Sequence, residues 1–158
     1  MKTVIDVVAI VRKGDDFLLG KKKVDNPPYE GAWHTLGGSV EDQPKAMELF
    51  KKQDFNNEYF QEEVKRQVKK QANIDVDNIR NIVPKFRHQP REAITHNRDK
   101  VDQRFIFLEY FCDYAGGEII PNEYFETWEW HKKEDLKDLK LTPPSREMYV
   151  ELGWDWLW

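Results

Sequence analysis

The run RFIFLEYFCDY (residues 104–114) is the stretch that most limits what this chain can fold into. It is the strongest strand in the sequence, rich in aromatic residues and followed by a Gly116-Gly117 turn. A chain that carries it must build a sheet around it. Residues 3–12 (TVIDVVAIVR) supply a second strand, rich in β-branched residues, and FLLGKKK (17–23) follows across a Lys13-Gly14-Asp15-Asp16 turn, which predicts a hairpin. DNPPYEG (25–31) reads as a loop, because Asn-Pro-Pro breaks any regular element. Residues 44–73 are helical in character: Ala46, Leu49 and Phe50 share one face, Phe60, Val64, Val68 and Ala72 another, and Asn73 is a left-handed stop. A strand broken by Pro84 is expected over 79–86, a long polar and basic surface loop over 85–100, and a short strand running into a helix over 126–139. Pro143-Pro144-Ser145 is expected to cap a last helix from Arg146 to about Leu152. Strands alternating with helices give an α/β or α+β domain spanning residues 1–158, long enough for a substantial core.

Charge and cysteine content narrow the partners. The net charge of −4 argues against a whole-surface nucleic-acid binder, which is usually basic. The single cysteine, Cys112, excludes an intrachain disulfide and any zinc-type spacing, which fits a reducing, cytoplasmic location. The opening MKTVIDVVAIVRK carries Asp6 inside a short apolar run and reads as a first strand rather than a leader, and no run reaches the roughly 18 apolar residues of a membrane span. The expected partner is a nucleotide-like small molecule, with no nucleic acid and no membrane.

Two motifs carry the chemistry. LGGSVE, and a helix containing RQVKKQANI, together resemble the signature of the Nudix hydrolases, G-x5-E-x7-R-E-U-x-E-E-x-G-U with U aliphatic. FLLGKKK, the Pro-rich loop and GAWHTLGG resemble the family's approach to that signature, and ETWEWHKKEDL resembles its late strand and helix. The resemblance covers most of the chain and implies an α/β/α sandwich with a mixed central sheet. It also implies a degraded signature. Gly38 matches the first Gly, but Pro44 stands where the first Glu falls, and Arg66 matches the Arg. Gln67 stands for the next Glu, Lys70 and Gln71 stand for the Glu pair, and Asn73 stands for the Gly, with Val68 and Ile74 keeping the aliphatic positions. Gly38 and Arg66 are 28 positions apart where the signature has 14, an insertion of 14 residues.

In the family those glutamates hold Mg²⁺ beneath a pyrophosphate. Positions 67, 70 and 71 share one helix face, and Mg²⁺ wants charged oxygen ligands. Two amides and an ammonium do not supply them, and Lys70 repels the ion by several kcal/mol at an effective dielectric of ~20. The usual metal site is therefore expected to be absent, with Mg or Mn retained only if carboxylates such as Glu41 or Glu63 have relocated into the role. Lys70 is either a solvated surface charge or a replacement for the metal that holds a diphosphate directly. Gly37 and Gly38 allow a bend and close backbone approach. Glu41 and Arg66 are expected to form the family's retained loop–helix ion pair, and Glu62 and Arg66 are spaced to pair instead. The resemblance makes Gly37, Gly38, Arg66, Gln67, Lys70 and Arg87 the expected substrate contacts. One Nudix branch, the GDP-mannose mannosyl hydrolases, uses a loop His as base, which makes His88 or His96 a candidate beside the basic Arg87, Arg91 and Arg98. Trp33 is either core or a ligand contact. The terminal WDWLW, with Trp154, Trp156 and Trp158, is expected to seal the core edge or a homodimer contact.

Overall fold

The computed structural model of the chain describes residues 1–96 and 102–153. The N-terminal run forms β1 (Lys2–Lys13), which turns into β2 (Asp16–Lys22) as the predicted hairpin, with Arg12 opposite Phe17. Two short strands follow, β3 (Trp33–His34) and β4 (Leu36–Ser39), then α1 (Gln43–Lys51) and α2 (Glu58–Ala72). β5 (Asp75–Asn81), β6 (Arg91–His96) and β7 (Asp102–Gly116) come next, then β8 (Phe125–Lys132), a 3₁₀ turn at Lys133–Asp138 and α3 (Pro143–Leu152). The sheet path runs β3-β2-β1-β7-β5, with β4 added to β1, β6 to β7 and β8 to β2. β1 and β7 are parallel while every other strand pairing is antiparallel, so the sheet is mixed.

Side chains alternate across β1, and that alternation makes the layers. Ile5, Val7, Ala9 and Val11 pack with Phe60, Val64, Val68 and Ala72 of α2. On the opposite face Ile10, Phe17, Leu19 and Phe111 pack with Met148 and Tyr149 of α3. The α/β/α sandwich is thus built from one central strand covered on both sides.

Several expected boundaries move. The continuous helical stretch is two helices, broken at 52–57. Gln53 there has a φ of 57°, Asn57 caps α2 by accepting from Tyr59 N at 2.9 Å, and Tyr110 pins the turn by donating its hydroxyl to the Phe55 carbonyl at 2.6 Å. Short polar side chains that bond their own backbone compete with helix at such points. The expected strand at 79–86 begins earlier, at Asp75, and ends before Pro84, which has no N–H to donate. The expected loop at 85–100 contains β6, whose polar sequence REAITH concealed it; pairing with β7 supplies the order that its composition does not. α3 begins at Pro143, three residues early, because prolines are tolerated in the first helical turn, where no N–H is needed. Arg98 and the tail with Trp154, Trp156 and Trp158 lie outside the described residues.

Candidate functional site

The GG segment is strand β4, paired with β1 so that Gly37 faces Val8, Gly38 faces Val7 and Ser39 faces Asp6. Neither glycine has a positive φ, so the expected bend is not what they provide. They provide close approach. A Cβ on Gly37 would lie 2.7 Å from the Val7 carbonyl, and one on Gly38 would lie 2.9 Å from Gln67 Oε1.

That contact joins β4 to α2. Gln67, buried, donates Nε2 to the Ser39 carbonyl at 3.1 Å, and Gln71 donates Nε2 to the Gly37 carbonyl at 2.6 Å. Gln71 also donates to Gln67 Oε1 at 3.3 Å and accepts from Gly37 N at 3.4 Å. The Gln71 carbonyl receives the Trp128 indole N–H at 3.0 Å. Lys70 is exposed. These residues do not fit a magnesium ion: the two amides are neutral and already bonded to backbone carbonyls, and the charge beside them is positive.

One turn earlier sits the latch between loop and helix, and it differs from expectation. Arg66 pairs with Glu63, through Nη2 at 2.6 Å and Nε at 2.8 Å, not with Glu41. Glu63 is 5% exposed, and its other oxygen accepts from Tyr59 Oη at 3.2 Å and from the Glu41 backbone N at 3.3 Å. Glu41 itself is exposed and contributes its backbone, while Glu62 pairs with Lys65 at 3.4 Å. With both oxygens engaged, Glu63 has no lone pair aimed at a relocated metal, and among the described residues no cluster of three or more His, Cys, Asp or Glu is placed to hold one.

The face of β4 turned toward α3 is different. A cavity of about 90 Å³ opens there, bounded by Asp6, Gly38, His34, Arg91, Phe107 and Met148. Asp6 Oδ1 accepts from Ser39 Oγ at 2.8 Å, and burial, only partly offset by that bond, raises the Asp6 carboxyl to about 6. His34 is pushed down to about 4 by burial and by the nearby Lys22, so its ring is neutral; its Nδ1 lies 2.6 Å from Thr142 Oγ1. Lys22 is itself held by the Pro28 carbonyl. Arg91, 6% exposed, lies 4.4 Å over the Phe107 ring and reaches Glu147 at 3.3 Å. Its Nε stands 3.6 Å from Glu109, an ion-pair contact too long for a hydrogen bond. Neither Glu109 oxygen has a hydrogen-bond partner at 1% exposure, and burial raises its carboxyl against the pull of Arg91 and Arg87.

The comparisons with known proteins agree with this geometry. The NUDIX domain family matches residues 2–152. The chain belongs to the Nudix family. Among curated Nudix relatives is the nucleoside triphosphatase NudI of Klebsiella pneumoniae (strain 342), 24% identical over 148 residues, which cover 93% of this chain and 94% of the relative. A MutT NUDIX hydrolase from Burkholderia pseudomallei matches with a TM-score of 0.64 at 18% identity, over 96% of this chain and 97% of that one. The NUDIX domain of Shewanella oneidensis NrtR, complexed with ADP ribose, matches with a TM-score of 0.58 at 14% identity, over 96% of this chain and 85% of that one.

Within this Nudix fold the expected site residues divide. Gly37, Gly38, Gln67 and Gln71 meet at the β4–α2 join, with Arg66 and Glu63 one turn away. Arg87 and His88 lie elsewhere. Arg87 pairs with Glu151, and His88 lines a separate surface cleft of about 500 Å³ whose other wall is Phe50 to Asn56, built by the inserted segment. β6 ends with His96 opposite Asp102, and the His96 side chain lies outside the described residues. Trp33 is half-buried against the α3-side core, with its ring edge-on to His131 at 4.6 Å. The sequence reading did not single out Asp6, Arg91 and Glu109 as one group. A signal was present for two of them, since Asp6 is the one acid in TVIDVVAIVR and Glu109 interrupts the apolar stretch FIFLEYFC. No helix among the described residues is long and apolar enough to cross a membrane.

Proposed function

We propose that this Nudix chain binds a nucleoside carrying a diphosphate-linked group beside β4, and that it lacks the family's magnesium-dependent cleavage. The amide clamp carries this reading. Side chains at the positions that hold metal in the family are committed, as Gln67 and Gln71, to the Ser39 and Gly37 carbonyls. The join between loop and helix is thereby made without an ion. Lys70, exposed on the same helix face, supplies positive charge where the metal would, and holds the diphosphate directly as a point charge. Gly37 and Gly38 let β4 lie close against β1 and Gln67, which keeps the clamp shut without a side chain in the way. The ADP ribose complex of the Shewanella NUDIX domain makes that compound a first probe.

The test compares binding with turnover. ADP ribose and GDP should raise the melting temperature in the presence of a chelator, Lys70→Ala should weaken that shift, and neither compound should be cleaved with Mg²⁺ or Mn²⁺. Cleavage at ordinary enzyme rates, about 1 s⁻¹ or faster, would overturn the reading.

A further inference from the structure

The cleft of about 500 Å³ beside the break between α1 and α2 has no part in the diphosphate reading. It is far from the amide clamp: Lys70 is 12 residues past Glu58, where α2 starts, or about 18 Å along the helix. Both of its walls are tied to the core. In the wall from the inserted segment, the Phe55 carbonyl accepts from Tyr110 Oη at 2.6 Å, and Asn56 Oδ1 accepts from Asn81 N at 2.8 Å. The Phe50 and Phe55 rings pack 5.9 Å apart. In the facing wall, Asn81 Oδ1 accepts from Val83 N at 2.8 Å, Phe86 N donates to the Ile82 carbonyl at 2.8 Å, and Arg87 pairs with Glu151 of α3. A cleft braced in this way is formed before any ligand arrives, and an occupant bears little ordering cost. Its volume lies within the roughly 300–1,000 Å³ of small-molecule sites.

The lining says what would fit. Phe50, Phe55, Val83, Pro84 and Pro90 supply apolar surface, and four of these five carry rigid rings. Such surface takes a flat, apolar body. Polar groups stand beside it at Lys51, Gln53, Asp54 and His88. Among the described residues, nothing bonds to or pairs with the side chains of Lys51, Gln53 or His88. The neighbouring ammonium of Lys52 is taken by Glu48 at 3.0 Å. The acid of the lining is engaged, since Asp54 Oδ2 accepts from Asn57 Nδ2 at 2.9 Å. The open valence of the cleft is thus cationic and donating: Lys51 offers only donors, and His88 offers a ring N–H. An amine would meet Lys51 with like charge. A doubly charged phosphate would set its second charge against Asp54 with no further unpaired ammonium to balance it. A single carboxylate is matched by Lys51 alone, as a charge-assisted hydrogen bond.

We infer that this cleft is a second binding site, for a small ring-bearing carboxylate whose ring lies against Phe50, Phe55 and the prolines and whose carboxylate meets Lys51 and His88. The test titrates the full chain, by calorimetry and by the ring-proton signals of His88, with three probes that share one ring. These are indole-3-acetate, indole-3-acetamide and tryptamine, which carry a negative, a neutral and a positive group. Comparison with His88→Gln identifies the His88 signals. Indole-3-acetate should bind with a Kd of about 1 mM or tighter and shift the His88 signals. The amide should bind roughly 10-fold more weakly, through loss of the charge-assisted bond, and the amine more weakly still. Lys51→Glu, at an exposed position, should reverse the order of acetate and amine. The wild-type ranking stands without any variant. Equal binding of the three probes, no shift at His88, or an unchanged order in Lys51→Glu overturns the inference. The diphosphate reading fails or survives separately: ADP ribose should not displace indole-3-acetate, and Lys70→Ala should leave its affinity unchanged. Displacement by ADP ribose would make the two sites one and overturn the second site.

Discussion

The two sides of β4 contrast in how their polar groups are settled. Toward α2, Gln67, Gln71, Glu63 and Arg66 all have partners, and the loop is sewn to the helix by neutral and ionic bonds alike. Toward α3, Glu109 and Arg91 Nε are buried without hydrogen bonds, and Asp6 is held at an elevated pKa beside an open cavity. An unsatisfied buried polar group costs about 1–3 kcal/mol, and folds of this size have only about 5–15 kcal/mol in total. The difference teaches that the amides toward α2 are committed to holding β4 on the helix, while Glu109 and Arg91 Nε toward α3 are packed away without hydrogen bonds.

Four measurements break or sharpen that contrast. The largest effect is expected at Arg91→Ala, which strips the counter-charge from Glu109 and should lower unfolding free energy by about 3–5 kcal/mol in denaturant titration. Replacing both partners with apolar residues, Arg91→Met with Glu109→Leu, should restore stability. If the single variant is as stable as wild type, the α3 side carries no stored electrostatic cost.

Next comes the latch. Arg66→Ala should cost about 2–3 kcal/mol, below the full buried-pair figure because Arg66 is 39% exposed, since it leaves Glu63 without its cation. Glu41→Ala should stay within about 0.5 kcal/mol. Equal losses for the two would restore the Glu41–Arg66 pairing that the geometry rejects.

The amide clamp is smaller again. Gln67→Leu should cost about 1–2 kcal/mol by orphaning the Ser39 carbonyl. The triple variant Gln67→Glu, Lys70→Glu, Gln71→Glu sets carboxylates against the same carbonyls. It should melt lower than wild type in chelator, regain stability on adding Mg²⁺, and turn over little substrate, because positioning errors of about 1 Å can cost 10²-fold. Rapid turnover would mean that the inserted segment left the cleft in register.

The smallest effect in the wild type is a cancellation. Asp6 titrates near 6 folded against 3.8 unfolded, so the folded state holds the extra proton and stability falls as pH rises from about 4 to 6. His34 titrates near 4 folded against 6.5 unfolded, so the unfolded state holds the proton and stability rises with pH over about 4 to 6.5. Each has a ceiling of about 3 kcal/mol, less after solvent screening. Together they should leave these two groups' contribution nearly flat. Asp6→Asn should make the melting temperature fall on acidification, and His34→Gln should make it rise. Parallel slopes in the two variants would show that the two groups do not oppose each other.

How much of this could be read beforehand depends on distance along the chain. β1, β7 and the β1–β2 hairpin were legible because local composition decides them. The face shared by positions 67, 70 and 71 was legible because helical spacing is a local property. The break between α1 and α2 was not, since the apolar period continues past it and the break is fixed by Tyr110, far away in sequence. Nor was the choice of partner for Arg66, because Glu41, Glu62 and Glu63 all lie within reach of it by spacing or loop closure. β6 was hidden because an edge strand needs no apolar alternation to pair. The row of Asp6, Phe107 and Arg91 exists only through two registers that bring together strands from opposite ends of the chain, and no local pattern announces it.

The parallel ladder between β1 and β7 also bears on how the chain is made. Lys2 meets Gln103 and Arg12 meets Asp113, so β1 finds its longest partner 101 residues later. At roughly 5–20 residues per second, β1 waits on the order of 5–20 s, with β2 and β4 able to cover one of its edges and nothing to cover the other. Pairings of such long range also slow folding after release. Until residue 113 has left the ribosome, a Val- and Ile-rich edge stays open to other nascent chains. Prematurely ended copies would expose that edge permanently, which makes them the species most in need of a chaperone.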